Sequence, residues 1–137
     1  MVVTAPAAAL SPNSAYEGAR AGTIVLIDVR APTEWRETGV PSDARPVALF
    51  DEGGRPNAAF VDEVLALVDG DRDAPIAVIC ARGVRSLVAA RLLRASGFAE
   101  VHDVPAGLLG RAGVPGWIER DLPVEPCTDC LAANAAE

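Results

Sequence analysis

The sequence predicts an α/β domain in which helices cover both sides of a central, mostly parallel sheet. Two runs, Thr23-Ile24-Val25-Leu26-Ile27-Asp28-Val29 and Pro75-Ile76-Ala77-Val78-Ile79, are apolar and β-branched without polar alternation. Strands of that kind are covered on both faces, as in a parallel sheet. Stretches with apolar residues at helical spacing stand between and after them, and strands alternating with helices give this class. The length, 137 residues with 50% apolar, suits one domain with a real hydrophobic core.

The elements follow in order. Residues 1–10 are Ala/Pro-rich and are expected to be loose, and the domain is expected over 11–126. Ser11-Pro12 is a cap followed by proline, which opens a short helix through Tyr16 to about Arg20, closed by Gly22. The first strand ends in Asp28-Val29-Arg30, and Pro32 opens a brief helix, Thr33-Glu34-Trp35-Arg36-Glu37. A turn leads to a short strand, Val47-Ala48-Leu49-Phe50. Asn57 is the expected cap of a helix whose Phe60, Val61, Val64, Leu65 and Val68 form one apolar stripe. Glu100-Val101-His102-Asp103-Val104 reads as the last strand. Gly107 to Trp117 is Gly-rich and irregular, Ile118 to Asp121 holds a helical turn, and Leu122-Pro123-Val124 ends the fold.

Pro75–Gly97 carries the chemistry. Its strand runs directly into Cys80 and a tight loop, Ala81-Arg82-Gly83-Val84-Arg85. Ser86 follows as the expected N-cap of a helix with Leu87, Val88, Leu92 and Leu93 on helical spacing. Such a loop turns backbone N–H groups inward, and the helix N-terminus adds positive potential there. A sulfur in that position is stabilised as thiolate, the nucleophilic form. Cys80 also falls at the carboxyl end of a strand, where parallel sheets place their sites.

Net charge is −7, with no basic stripe to displace counterions, so general nucleic-acid binding is not expected. No apolar run reaches membrane-spanning length, and the first residues lack the basic and apolar regions of a signal peptide. Arg82 and Arg85 form a local positive spot suited to a small anion. Three cysteines do not form a disulfide framework, so a reducing compartment, the cytoplasm, is expected.

These residues resemble a rhodanese (sulfurtransferase) domain, from about Asn13 to Glu125. Cys80-Ala81-Arg82-Gly83-Val84-Arg85-Ser86 fits the family pattern Cys-x-x-Gly-x-Arg-Ser at every fixed position. Asp28-Val29-Arg30-Ala31-Pro32-Thr33-Glu34-Trp35 is similar to its Asp-Val-Arg-x-x-x-Glu-aromatic signature. Gly116-Trp117 followed by Leu122-Pro123-Val124 is like its closing segment. Two departures stand out. Thr38-Gly39-Val40-Pro41-Ser42-Asp43-Ala44 replaces the usual Gly-His-Ile-Pro-Gly-Ala, and Asp121 stands where a glycine is usual.

The resemblance implies a three-layer fold and ping-pong sulfur transfer from an anionic donor such as thiosulfate to cyanide or a thiol. It implies Cys80 as nucleophile and sulfur carrier, with the N–H groups from Ala81 to Ser86 as the cradle. Arg85 and Arg82 would supply charge, and the Ser86 hydroxyl would bond the sulfur or cap the helix. Asp28, Arg30 and Glu34 would support the site, with Arg30 and Glu34 paired to each other and Asp28 accepting backbone N–H bonds. No cofactor or metal is implied, and the single histidine, His102, reads as structural. A protein sulfur acceptor fits the same residues, as does a regulatory binding module.

A cysteine phosphatase or arsenate reductase also uses a thiolate in an anion cradle, with arginine six positions after the cysteine. Here Arg85 is in the fifth place and Ser86 in the sixth, so the register differs. The tail, 127–137, carries a Cys127-x-x-Cys130 pair. Its alternatives are a redox pair, half of a zinc site shared between subunits, a resolving thiol for Cys80, or two exposed thiols.

Overall fold

The computed structural model describes residues 9–127. Ten elements run in order: α1 (Pro12–Ala21), β1 (Val25–Asp28), α2 (Pro32–Thr38), β2 (Val40–Pro41), β3 (Arg45–Pro46), α3 (Phe60–Leu67), β4 (Ile76–Ile79), α4 (Val84–Ala95), β5 (Val101–Val104) and β6 (Val124–Glu125). The central sheet has four strands in the order β3-β1-β4-β5, and every pairing in it is parallel. Helices flank it on two sides, giving the expected three-layer α/β architecture.

The side chains of the sheet explain the unbroken apolar runs. On one face Ile27, Val29, Ile76, Val78 and Val101 pack with Phe60 and Val64 of α3 and Ala89, Ala90 and Leu93 of α4. On the other, Leu26, Ala77, Ile79 and Val104 meet Ala15 of α1, Leu108 and Trp117. Successive strand residues point to opposite faces, so the inner strands β1 and β4, buried on both sides, stay apolar until β1 ends at Asp28, whereas the edge strand β5 carries His102 and Asp103. Each fully buried Ile or Val here contributes about 1.5–3 kcal/mol of transfer free energy.

Several ends differ from the sequence expectation for identifiable reasons. The strand expected over Val47–Phe50 lies just earlier, at Arg45–Pro46, although the Val47 and Leu49 N–H groups continue to bond Asp28 and Val29 carbonyls at 3.0 and 3.2 Å. Asn57 does not cap α3. Its Oδ1 accepts the Ala59 N–H at 3.1 Å in a local turn, and the helix begins at Phe60. Asp121, in place of the usual glycine, has φ +58°. That left-handed conformation suits glycine, and aspartate is among the few other residues that tolerate it.

Parallel pairing brings the carboxyl ends together. Asp28 is in register with Ile79, and Ile79 with Val104, so the segments after β1, β4 and β5 emerge side by side. The segment after β5 is then tied to the loop after β4. Leu108 N–H donates to the Cys80 carbonyl at 2.9 Å and Leu109 N–H to the Ala81 carbonyl at 3.0 Å. This approach requires Gly107, at φ +62°, because a Cβ there would fall onto the Ala81 and Cys80 carbonyls. Gly107→Ala is expected to cost at least about 2 kcal/mol of stability. A fall in Tm by thermal denaturation checks this, and an unchanged Tm would contradict it.

Candidate active site

Cys80 follows β4 directly and is 1% exposed, with its sulfur at the centre of the loop that closes onto α4. The Gly83 N–H donates to Sγ at 3.1 Å and the Ser86 N–H at 3.3 Å. The thiol in turn lies 3.4 Å from the Ser86 hydroxyl, to which it donates. Among the described residues Cys80 is the free cysteine.

The loop folds this way because Gly83 adopts φ +90° and acts as the N-cap of α4. The expected N-cap, Ser86, is instead the third residue of the helix and fully buried. Ser86 lies within the first turn, so its N–H has no partner inside the helix and turns to the sulfur. A side chain at Gly83 would collide with Pro105, whose carbonyl oxygen would be 2.5 Å from a Cβ. The helix N-terminus adds its partial positive charge at the same point.

The supporting residues are paired differently from the sequence expectation. Arg30 does not pair with Glu34. Its guanidinium bonds Asp28, with Nε 3.1 Å from both carboxylate oxygens and Nη2 2.9 Å from Oδ2. Both side chains are buried. Arg30 precedes α2 rather than lying on it, so the helical four-residue spacing that suggested the pair does not apply. The expected backbone contact of Asp28 is present: Oδ1 accepts the Arg30 N–H at 3.0 Å. Burial raises the Asp28 pKa, against the pull of the Arg30 hydrogen bonds.

Glu34 reaches across to α4. Its two oxygens receive the Arg85 guanidinium at 2.5 and 2.9 Å, and Oε1 also accepts the Ala31 N–H at 3.1 Å. Burial alone would raise the Glu34 pKa, but the Arg85 fork and the Ala31 N–H outweigh it and leave the carboxyl below its usual value. The same contact raises the Arg85 pKa, against the cost of burial, with a further contribution from the field of Cys80. Arg85 therefore presents its fork to Glu34, leaving it poorly placed to clasp a phosphate. Arg82 points elsewhere, donating from Nη1 to the Gly110 carbonyl at 2.9 Å. Val84 stands at the loop tip, 69% exposed.

Two residues near the loop were not singled out in the sequence. Asp103 of β5 is buried, interacts with the Ser86 hydroxyl, and has its pKa raised by desolvation, with Ser86, the Val104 N–H and the Arg111 charge opposing. Its Oδ1 has no hydrogen-bond partner. A carboxylate between Val101 and Val104 in a strand of buried type was the available signal. Arg111 sits in the irregular Gly-rich segment, where no periodicity marks a residue's direction. His102 Nε2 lies 2.8 Å from the Glu100 carboxylate. Cys127 is disulfide-bonded and partly buried against Trp35 and Val40, so it is not an exposed thiol. Cys130 lies outside the described residues.

A family model for the rhodanese-like domain matches residues 11–110. The chain belongs to the rhodanese-like domain family. The thiosulfate sulfurtransferase GlpE of Glaesserella parasuis serovar 5 is 29% identical over 116 residues, spanning 85% of this chain and 91% of that protein. The crystal structure of Rv0390 from M. tuberculosis superposes with a TM-score of 0.70 at 29% identity, covering 89% of this chain and 99% of that one. The polysulfide-sulfur transferase homodimer of Wolinella succinogenes gives a TM-score of 0.62 at 28% identity, covering 87% and 78%. The family and these relatives support a sulfurtransferase kind of activity.

In this rhodanese-like domain the described residues contain no helix long and apolar enough to cross a membrane. They also contain no cluster of three or more His, Cys, Asp or Glu side chains placed to hold a metal. The Glu34–Arg85 bridge predicts a pH signature. The folded-state pKa of Glu34 lies below its usual 4.5, so the bridge stabilises fully above that value and is lost as pH falls through the lowered one. Glu34→Gln is expected to cost about 1–2 kcal/mol at pH 7. The gap in Tm between variant and wild type should close as the medium is acidified; a gap independent of pH would contradict the assignment.

Proposed function

We propose that this protein is a sulfurtransferase that carries sulfane sulfur as a persulfide on Cys80. The observation that supports it best is the sulfur at the centre of its loop, with the Gly83 and Ser86 N–H groups directed at it. That arrangement suits an anionic sulfur and an anionic donor at the same spot. The cradle is formed by Ala81, Arg82, Gly83, Val84, Arg85 and Ser86. Asp28, Arg30 and Glu34 hold it from behind.

With thiosulfate as donor, the Cys80 sulfur attacks the outer sulfur and forms a new S–S bond. The bond from that outer sulfur to the sulfonate sulfur breaks, and its electron pair leaves on sulfite. A second nucleophile, cyanide or a thiol, then attacks the terminal sulfur of the persulfide and returns an electron pair to Cys80. Neither half-reaction needs a metal or a cofactor, and neither needs a histidine base. The acceptor is a small molecule or a protein thiol. The cytoplasm is the proposed location, because a reducing compartment keeps the Cys80 thiol free, and the disulfide at Cys127 is the observation that weighs against it.

Intact mass tests the covalent step. Protein treated with thiosulfate should gain one sulfur, about 32 Da, and lose it to cyanide. Cys80→Ser should take up none and turn over nothing while keeping its fold by circular dichroism. Sulfur uptake by that variant, or none by folded wild-type protein, would overturn the proposal.

A further inference from the structure

A second wall stands beside the sulfur loop. The segment after β5 encloses, together with Arg82, an open cavity of about 470 Å³. Arg82, Arg111, Val114, Pro115 and Glu119 are among the residues lining it. The cavity adjoins the cradle through Arg111, because a Cβ built on Gly83 would lie 2.8 Å from Arg111 Nη1. Gly83 is one of the two residues whose N–H groups reach the Cys80 sulfur.

The arginines around the loop are not equivalent. Arg85 is forked onto Glu34. Arg82 gives Nη1 to the Gly110 carbonyl. Arg111 is exposed and bonds Val114 through its backbone, and its charge acts on Asp103. Among the described residues its guanidinium is held by no hydrogen bond or ion pair, which leaves the fork available to an anion in the cavity it lines. Thiosulfate does not need this space. It is a five-atom anion, whereas cavities of roughly 300–1,000 Å³ take ligands of drug size. Glu119 on the same wall opposes a purely anionic ligand and complements one that also carries an ammonium group.

We propose that this cavity is the acceptor subsite, in which Arg111 binds the carboxylate of a small thiol of amino-acid or short-peptide type and Glu119 offsets its ammonium charge. The inference rests on the persulfide reading above. The acceptor's sulfur attacks the terminal sulfur of the Cys80 persulfide, forming a new S–S bond. The enzyme's S–S bond breaks with its electron pair on Cys80, and the acceptor's proton passes to the Cys80 sulfur. A persulfide of the acceptor leaves, and the free thiol is restored.

Two measurements on the full chain test this. S-methylglutathione carries two carboxylates and an ammonium but has no thiol to accept sulfur. Isothermal titration should show saturable binding to wild type, weakened about tenfold or more in Arg111→Gln and less in the control Arg55→Gln. In turnover with thiosulfate as donor, Arg111→Gln should raise the KM for glutathione relative to that for 2-mercaptoethanol by a similar factor. No binding by wild type, equal binding by Arg111→Gln, or an effect on thiosulfate loading in place of the acceptor effect would overturn the proposal. If folded wild type takes up no sulfur from thiosulfate, the sulfurtransferase reading fails on its own, while the titration still decides whether the cavity holds such a ligand.

Discussion

The geometry at the sulfur depends on a buried ion pair that does not touch it. Arg30 and Asp28 are 1% and 0% exposed at the end of β1. Removing two charges from water is costly, so such a pair is a poor source of net stability and is sustained by the number of bonds it makes. Beyond Asp28, Arg30 reaches Thr38 Oγ1 at 3.0 Å and the Gly39 carbonyl at 2.9 Å. These contacts fasten the far end of α2 to the end of β1. Glu34 on α2 is thereby aimed at Arg85, in the first turn of α4. The loop between β4 and α4 is thus held from a strand it does not belong to.

The other constraint is close backbone approach. Pro105 and Gly107 press against the loop from the end of β5, and the only side chains the contact tolerates there are the hydrogens of Gly83 and Gly107. Held on both flanks, the loop keeps its N–H groups aimed at one sulfur without help from a ligand. The conformational cost of assembling the cradle is therefore met during folding. The apolar sheet beneath, packed on both faces, supplies the rigidity that makes this possible.

The fold class and the position of Cys80 at the end of a strand were legible in the sequence, because buried strands and a cysteine-to-helix loop leave local signatures. What depends on distant partners was not. Arg30 and Glu34 look like a local pair until the chain folds and offers Glu34 an arginine 51 positions away. Ser86 has the composition of a cap, yet the left-handed Gly83 starts the helix and frees Ser86 to face the sulfur. Asp103 and Arg111 were passed over for opposite reasons. One is a single carboxylate in a short strand, and the other lies in a segment with no repeating pattern to orient it.

The depth of Cys80 has its own consequence. A sulfur with 1% exposure on its residue, ringed by backbone, cannot be met by a broad molecule face-on. Only a reagent that ends in one bare, protruding atom can reach it. A thiol set at that depth is shielded by its own loop from any contact that needs a flat approach.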